Sequence, residues 1–209
     1  ISATLNADDL TDILWMAADH QGLLMGTHSG EWLIAASALN DPLTPTSIQA
    51  HQVTRYGCAF VEPRRVGIAL IFIQRYGQRV IEYLSDTLSA RYTGRHLYET
   101  AKHLTAAGVV EITYQEEKAP VLWAIMEDGT IAGATYRRIS RYATEQPIYN
   151  GWHRQVIGGS YAGTLLRPAT SIAVLPNDDG LSDMLYAATT DTSDEGGTLD
   201  CFRPLFEDA

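Results

Sequence analysis

The chain has 209 residues and a formal net charge of −10, from 15 Lys+Arg against 25 Asp+Glu. That surplus of acid argues against a general phosphate-gripping surface and against docking on an anionic membrane. Apolar residues make up 45% of the chain, enough for one or two cored domains, while the longest dense apolar run, Val66–Ile73, is strand-sized and cannot span a membrane.

No basic-plus-apolar leader begins at Ile1, and the opening reads as half a strand, so a segment of a longer protein is expected. Residues 1–10 read as a strand remnant and a polar turn. Leu14–Ala18 and Leu23–Ile34 form a first hairpin region, with a second tight turn around His28-Ser29-Gly30. Residues 37–47 hold two prolines and many small polar residues, which suits a surface connection. Ile48–Thr54 is the next predicted strand and Tyr56–Pro63 an irregular crossing. Val66–Ile73 with Gln78–Leu84 makes a second hairpin.

Ser85–Ala107 breaks the β pattern. Leu97, Ala101 and Leu104 recur among good helix formers, and Gly108 is a natural stop, so one short helix is predicted near residues 95–107. Val109–Tyr114 restarts the strands. Val121–Arg138 then carries Leu122-Trp123, a Glu127-Asp128-Gly129 corner and a second apolar run. Asp-Gly between strand-like runs is a hairpin signal, because the turn needs positive φ. The unbroken apolar run before it suits a strand covered on both faces. Trp152–Ile157 reads as an outer strand and Gly158-Gly159-Ser160 as a loop. Ser171–Leu175 is a lead-in strand, followed by Met184–Thr190 paired with Thr198–Arg203.

An aliphatic-aromatic pair followed by a glycine turn recurs, with the aromatic at Trp15, Phe72, Trp123 and Tyr186. The spacings 57, 51 and 63 follow from those positions and point to repeated hairpin units, with the four aromatics as core. Each unit reads as a lead-in strand (48–54, 109–114, 171–175) and a hairpin. The predicted fold is therefore all-β: a β-propeller-like array of about four hairpin-based blades. Residues 1–209 form a single propeller-type domain or a segment of a larger one. A two-sheet sandwich is the alternative.

Several phrases resemble a known family. Gly26-Thr27-His28-Ser29-Gly30-Glu31-Trp32 resembles its "GTSGGEW" phrase, and Leu43–Ile48 its "LTPTS" phrase. Gly67–Tyr83 is similar to its "vlFvqr.g.rvrE" hairpin and Ala101–Leu104 to "a.HLt". Tyr114-Gln115-Glu116 with Val121–Gly129 matches "yQ.e...vWavr.DGtl", and Gly151–Arg154 matches "aWhr". The order is kept over most of residues 13–190, although Ala17–His20 and Thr189–Gly197 depart from it. The family is the tail nozzle, or tail tubular protein B, of short-tailed phages.

The resemblance implies a β-propeller core in a structural virion protein, made in the bacterial host cytoplasm. It implies a subunit that joins identical copies in a ring and meets neighbouring tail or portal-adaptor proteins. DNA passes through that ring during ejection without specific binding, and an acidic wall suits such passage. No membrane insertion is expected, and no enzymatic activity.

Catalytic, cofactor-binding and metal residues: none is assigned. His96 and His103 fall seven apart without an acid or Cys at a ligand-like spacing, so packing or solvent contact is expected. No G-x-S-x-G, H-E-x-x-H or phosphate-cradling motif occurs. Thr192–Leu199 resembles the S/T-x-D-x-G-x-T-W box of sialidase-type propellers, with Leu199 for the tryptophan, and motivates the alternative of a glycan-binding or glycan-cleaving propeller. Asp191, Asp194 and Glu195 are a solvated loop or a calcium loop. The acid pairs Asp8-Asp9, Glu116-Glu117 and Asp178-Asp179 all sit in turn-like contexts. Arg64-Arg65, Arg137-Arg138 and Arg141 read as charged rims. Cys58 and Cys201 are two buried thiols or a bridge.

Overall fold

The computed structural model describes residues 12–37, 42, 44, 46–86, 91–138, 148–157, 167–178, 180–190 and 197–202. Among them, fifteen strands form four antiparallel sheets, with strands neighbouring one another in chain order. The first sheet holds β1 (Ile13–Asp19), β2 (Gly22–Thr27), β3 (Glu31–Ala36) and β4 (Ile48–Thr54). The second holds β5 (Arg64–Val66), β6 (Ala69–Ile73), β7 (Val80–Asp86) and β8 (Arg91–His96). The third holds β9 (Val109–Gln115), β10 (Val121–Met126), β11 (Ile131–Arg137) and β12 (Ile148–Gln155). The fourth holds β13 (Ala169–Pro176), β14 (Asp183–Thr190) and β15 (Gly197–Phe202). The two-sheet alternative is not what forms.

Side-chain alternation along the middle strands makes the second and third sheets each a layer between two others. In β6, Leu70 and Phe72 pack toward the first sheet, with Trp15, Leu24 and Leu33. Ile71 and Ile73 pack the other way, with Leu122, Ala124 and Met126 of β10. In turn Val121, Trp123 and Ile125 face Ile172, Leu185 and Ala187 of the fourth sheet. Strands β6 and β10 are buried along their whole length, as an unbroken apolar run predicts for a doubly covered strand.

The first strands of the sheets are fastened in series. Arg65 of β5 donates to the Ala18 carbonyl of β1. Arg64 Nε donates to the Ile112 carbonyl of β9 at 2.9 Å, and Ile172 N of β13 to Glu111 Oε2 at 3.1 Å. The last strands meet on the opposite side. Trp152 Nε1 of β12 donates to the Leu97 carbonyl beyond β8 at 2.8 Å.

The helix predicted near residues 95–107 does not form. Arg95 and His96 are the end of β8, and Leu97 N extends that ladder to the Val80 carbonyl at 3.0 Å. The chain then makes a three-residue 3-10 helix, Glu99–Ala101, and further tight turns. Their amide bonds run to the third residue back: Ala101 to Tyr98, Leu104 to Ala101 and Gly108 to Thr105. Leu97, Ala101 and Thr105 are buried, so the helical spacing was a packing signal. A continuous helix would have to strip residues 95–97 from the sheet.

Three strand assignments also change. Ile48–Thr54 is the fourth strand of the first sheet, paired with β3, and not the lead-in of the second. That lead-in is β5, because Val66–Ile73 breaks at a Gly67-Ile68 turn. The first hairpin is out of phase with the others: Trp15 lies on a first strand, while Phe72, Trp123 and Tyr186 lie on second strands. Nor do those three share a face. Phe72 faces the preceding sheet and Trp123 the following one. Tyr186 is half-buried and outside the core.

Candidate functional site

The polar groups inside the fold sit at the seams between sheets. Glu31 opens β3 and is fully buried. Its Oε2 accepts from Thr54 Oγ1 and, at 3.2 Å, from Tyr56 N, while Oε1 accepts from Cys58 Sγ at 3.3 Å. Tyr83 of the second sheet lies 2.6 Å from Thr54 Oγ1. Burial, then the Glu31 carboxylate, push the Cys58 thiol above its ordinary value, which keeps it protonated and inert as a nucleophile. Both cysteines are free, Cys201 being exposed.

At the next seam Glu82 of β7 is buried between Ile81 and Tyr83. Its Oε1 accepts from Tyr136 Oη at 2.6 Å and from Arg138 Nε at 2.7 Å. Arg138 is thus an interior cation and not a rim charge. The signal for this pair was a lone acid within Val80–Leu84, where every neighbour is apolar or aromatic.

The other sites weighed from sequence separate. His96 packs edge-on against Tyr56 and Tyr98, and His103 is exposed. Arg64 pairs with Glu62 at 3.3 Å and Arg65 with Asp19 at 3.5 Å. Glu116 and Glu117 present their amides to Asp183 Oδ2 at 2.9 Å. Arg141, Gly158-Gly159-Ser160 and the acids Asp191, Asp194 and Glu195 lie outside the described residues. Among the described residues no three His, Cys, Asp or Glu side chains converge as a metal site.

One serine-histidine-acid set was not anticipated. His20 Nδ1 lies 3.3 Å from Asp19 Oδ1, and Ser85 Oγ lies 3.2 Å and 3.4 Å from the two ring nitrogens. The hydroxyl thus sits beside the ring edge, aligned with neither nitrogen. Asp19 also accepts from Tyr92 Oη at 2.6 Å. Nucleophilic catalysis needs a nucleophile aligned with its base and donors for an oxyanion, and this set supplies no such alignment.

A cavity of about 300 Å³ lies at the opposite end of the strands, where the third sheet meets the fourth. The β10–β11 turn forms one wall. Asp128 Oδ1 accepts from Thr130 N at 2.9 Å and from Thr130 Oγ1. Gly129 has φ +77°, and a Cβ there would fall 2.3 Å from Pro168 Cβ, so the turn sits flush on the start of β13. Ala169 N donates to the Gly129 carbonyl at 2.9 Å. Ile131 and Ile157, both buried, give apolar lining, and Arg154, Gln155 and Arg167 give polar lining.

Among the described residues the fold is thus all-β, with four antiparallel sheets packed face to face in sequence order. No family model and no curated protein matches the chain. Among solved structures, a luciferin-regenerating enzyme aligns at 18% identity with a TM-score of 0.46, covering 91% of this chain and 60% of that one. The chain therefore spans less than two thirds of that enzyme's length, and a likeness of this degree assigns no activity.

Proposed function

We propose that the chain is a structural component of a phage virion, a subunit of a tail nozzle or tube ring whose sheets are consecutive blades of a β-propeller-type unit. What carries the reading is where the family-like phrases fall. The Gly30-Glu31-Trp32 phrase contributes Glu31, the hub of the seam between the first and second sheets. The Gly67–Tyr83 phrase contributes Glu82, which holds Tyr136 of the third sheet and Arg138 just after β11. The Gly151–Arg154 phrase contributes Trp152, which reaches back to the Leu97 carbonyl. Three of the six phrases that resemble the nozzle family thus supply a side chain that fastens sheet to sheet, as a rigid wall requires.

The mechanism is mechanical and electrostatic. Doubly covered sheets resist deformation because close-packed interiors compress little. An acid surplus of ten charges repels nucleic acid that passes along it. The protein's own partners are identical subunits and neighbouring tail or portal-adaptor proteins.

The test is the oligomeric mass and shape of the full-length protein, by light scattering and negative-stain imaging, alone and with its neighbouring tail proteins. A ring with a central channel is expected. A stable monomer that joins none of them would sink the proposal.

A further inference from the structure

We infer that the β6–β7 turn and its surroundings dock a second copy of the chain. The surface they take is the acidic end of that copy, at its β9–β10 and β13–β14 turns. The contact rests on the subunit ring proposed above and is the one by which identical subunits join. Charge is divided unevenly along the chain. Residues 55–108 hold eight Lys and Arg against four Asp and Glu, leaving seven against twenty-one elsewhere. Three of those eight cations gather around two tyrosines. Arg75 Cζ lies 5.2 Å from the centre of the Tyr76 ring, and Arg79 Cζ and Lys102 Nζ lie 5.8 Å and 5.9 Å from that of Tyr98. One turn ties them together: Gln74 N donates to the Arg79 carbonyl and Gln78 Nε2 to the Ala106 carbonyl, both at 2.8 Å. Arg79 stands two residues before Ile81, which faces the first sheet, and so takes that face. Tyr76 reaches the same sheet, edge-on to His28 with ring centres 6.4 Å apart. Arg75, Tyr76 and Lys102 are exposed. Among the described residues no carboxylate pairs with the three cations, neither Glu99, three residues before Lys102, nor Glu127, beside Gly108.

The complement lies at the other end of the strands. Strand β9 starts beside the β6–β7 turn, where Val109 N donates to the Gly77 carbonyl at 2.6 Å, and ends at Gln115. Glu116 and Glu117 therefore stand a strand's length from the cations, and both are exposed. Asp183 Oδ2 holds their amides at 2.9 Å, which fixes the β9–β10 turn against the β13–β14 turn. The latter adds Asp178, also exposed, and Leu181 at 72% exposure. Lys118 and Arg137 offset part of this charge. Opposite ends of one molecule cannot meet, so the two charges pair only between copies, head to tail. Contacts of that kind close into rings when the rotation allows. Complementary potentials steer such an encounter and fix its register. Tyr76 and Leu181 give each side an exposed apolar group to bury. Nucleic acid fits less well, because the twenty-one acids outside residues 55–108 repel it at range.

The test is charge reversal in the full-length protein, read by sedimentation velocity at low and high salt. Arg75→Glu with Lys102→Glu makes one variant, and Glu116→Lys with Glu117→Lys the other. All four positions are exposed, so unchanged circular dichroism is expected. Each variant alone is expected to assemble about tenfold more weakly than the unaltered protein. Mixed in equal amounts, the two are expected to reassemble, because each then meets the charge it lacks. Assembly that neither reversal weakens would overturn this contact and leave the ring standing. Weakened assembly that mixing does not recover would overturn the pairing of these two ends. An unaltered protein that stays monomeric even among its tail proteins would overturn contact and ring together. Binding of a labelled single-stranded oligonucleotide, lost in the Arg75→Glu, Lys102→Glu variant, would give the patch to nucleic acid and overturn the inference.

Discussion

Arg138, the residue after β11, holds Glu82 of the second sheet with both Nε and Nη2 2.7 Å from the same carboxylate oxygen. Both side chains are almost wholly shielded from water, at 2% and 0% exposure. The partner oxygen, Glu82 Oε2, is buried without a hydrogen bond. An ion pair of this kind is costly to desolvate, and its members depend on each other. It specifies which strand of the third sheet meets β7 more than it adds net stability.

Arg138→Met is accordingly expected to destabilise the fold by about 3–5 kcal/mol, because it leaves an uncompensated buried carboxylate. Replacing the whole cluster with apolar residues (Glu82→Leu, Tyr136→Phe and Arg138→Met together) is expected to recover most of that loss. Urea unfolding of both variants measures it. A loss below about 1 kcal/mol for the single change, the range of an exposed pair, would mean that the seam does not depend on this contact.

A second prediction separates strain from crowding at two glycines. Gly129 and Gly180 have φ of +77° and +67°, so alanine at either pays about 1–2 kcal/mol for the left-handed conformation. At Gly180 a Cβ meets nothing within 4 Å, whereas at Gly129 it meets Pro168 Cβ at 2.3 Å. Gly129→Ala is therefore expected to cost about 1–3 kcal/mol more than Gly180→Ala, the range for overpacking. Equal urea midpoints for the two variants would show that the turn can lift off Pro168.

Much of the strand layout was legible because periodicity and turn chemistry are local. The Asp128-Gly129 corner, the run Val121–Met126 and the His28–Gly30 turn each announce a hairpin in a few residues. The features that escaped depend on partners distant in sequence. Ile48–Thr54 looks the same whether it closes one sheet or opens the next. Leu97, Ala101 and Leu104 show a helical period although the backbone after Leu97, which bonds to Val80, is drawn into tight turns. A one-residue slip reverses which face a side chain takes, so Ile71-Phe72 and Leu122-Trp123 read alike yet point oppositely. Arg138 read as a rim charge because its counter-ion lies 56 residues away. The cavity, too, was illegible, since its lining comes from three separate stretches.

The aromatic repeat supplies a third prediction, since its members differ in burial. Trp123 is buried, and its Nε1 donates to Gln115 Oε1 at 3.0 Å. Trp123→Ala is expected to cost about 3–5 kcal/mol from the cavity it leaves. Tyr186 is half-buried, outside the core clusters, and Tyr186→Ala is expected to cost no more than about 1 kcal/mol. Chemical denaturation of the pair checks this. Similar losses at the two positions would place Tyr186 inside a core that these sheets do not show.

The last prediction concerns alkaline pH. Tyr83, Tyr92, Tyr114 and Tyr136 all have their phenols held above the ordinary value of 10.0, chiefly by burial. Neighbouring carboxylates add to it: Asp19 at Tyr92, Glu116 at Tyr114 and Glu82 at Tyr136. Tyr114 is pushed up to about 12. Above pH 10 the unfolded chain releases these protons while the folded chain keeps them, so unfolding is favoured as pH rises. The stabilisation is therefore complete below pH 10 and declines above it, by Tyr114 over the window from 10 to about 12. Tyrosinate absorbance and far-ultraviolet circular dichroism, followed together from pH 9 upward, test this. The absorbance of these four is expected to emerge with the loss of sheet signal. A smooth titration of every tyrosine centred near pH 10, with the sheets intact, would contradict their burial at the seams.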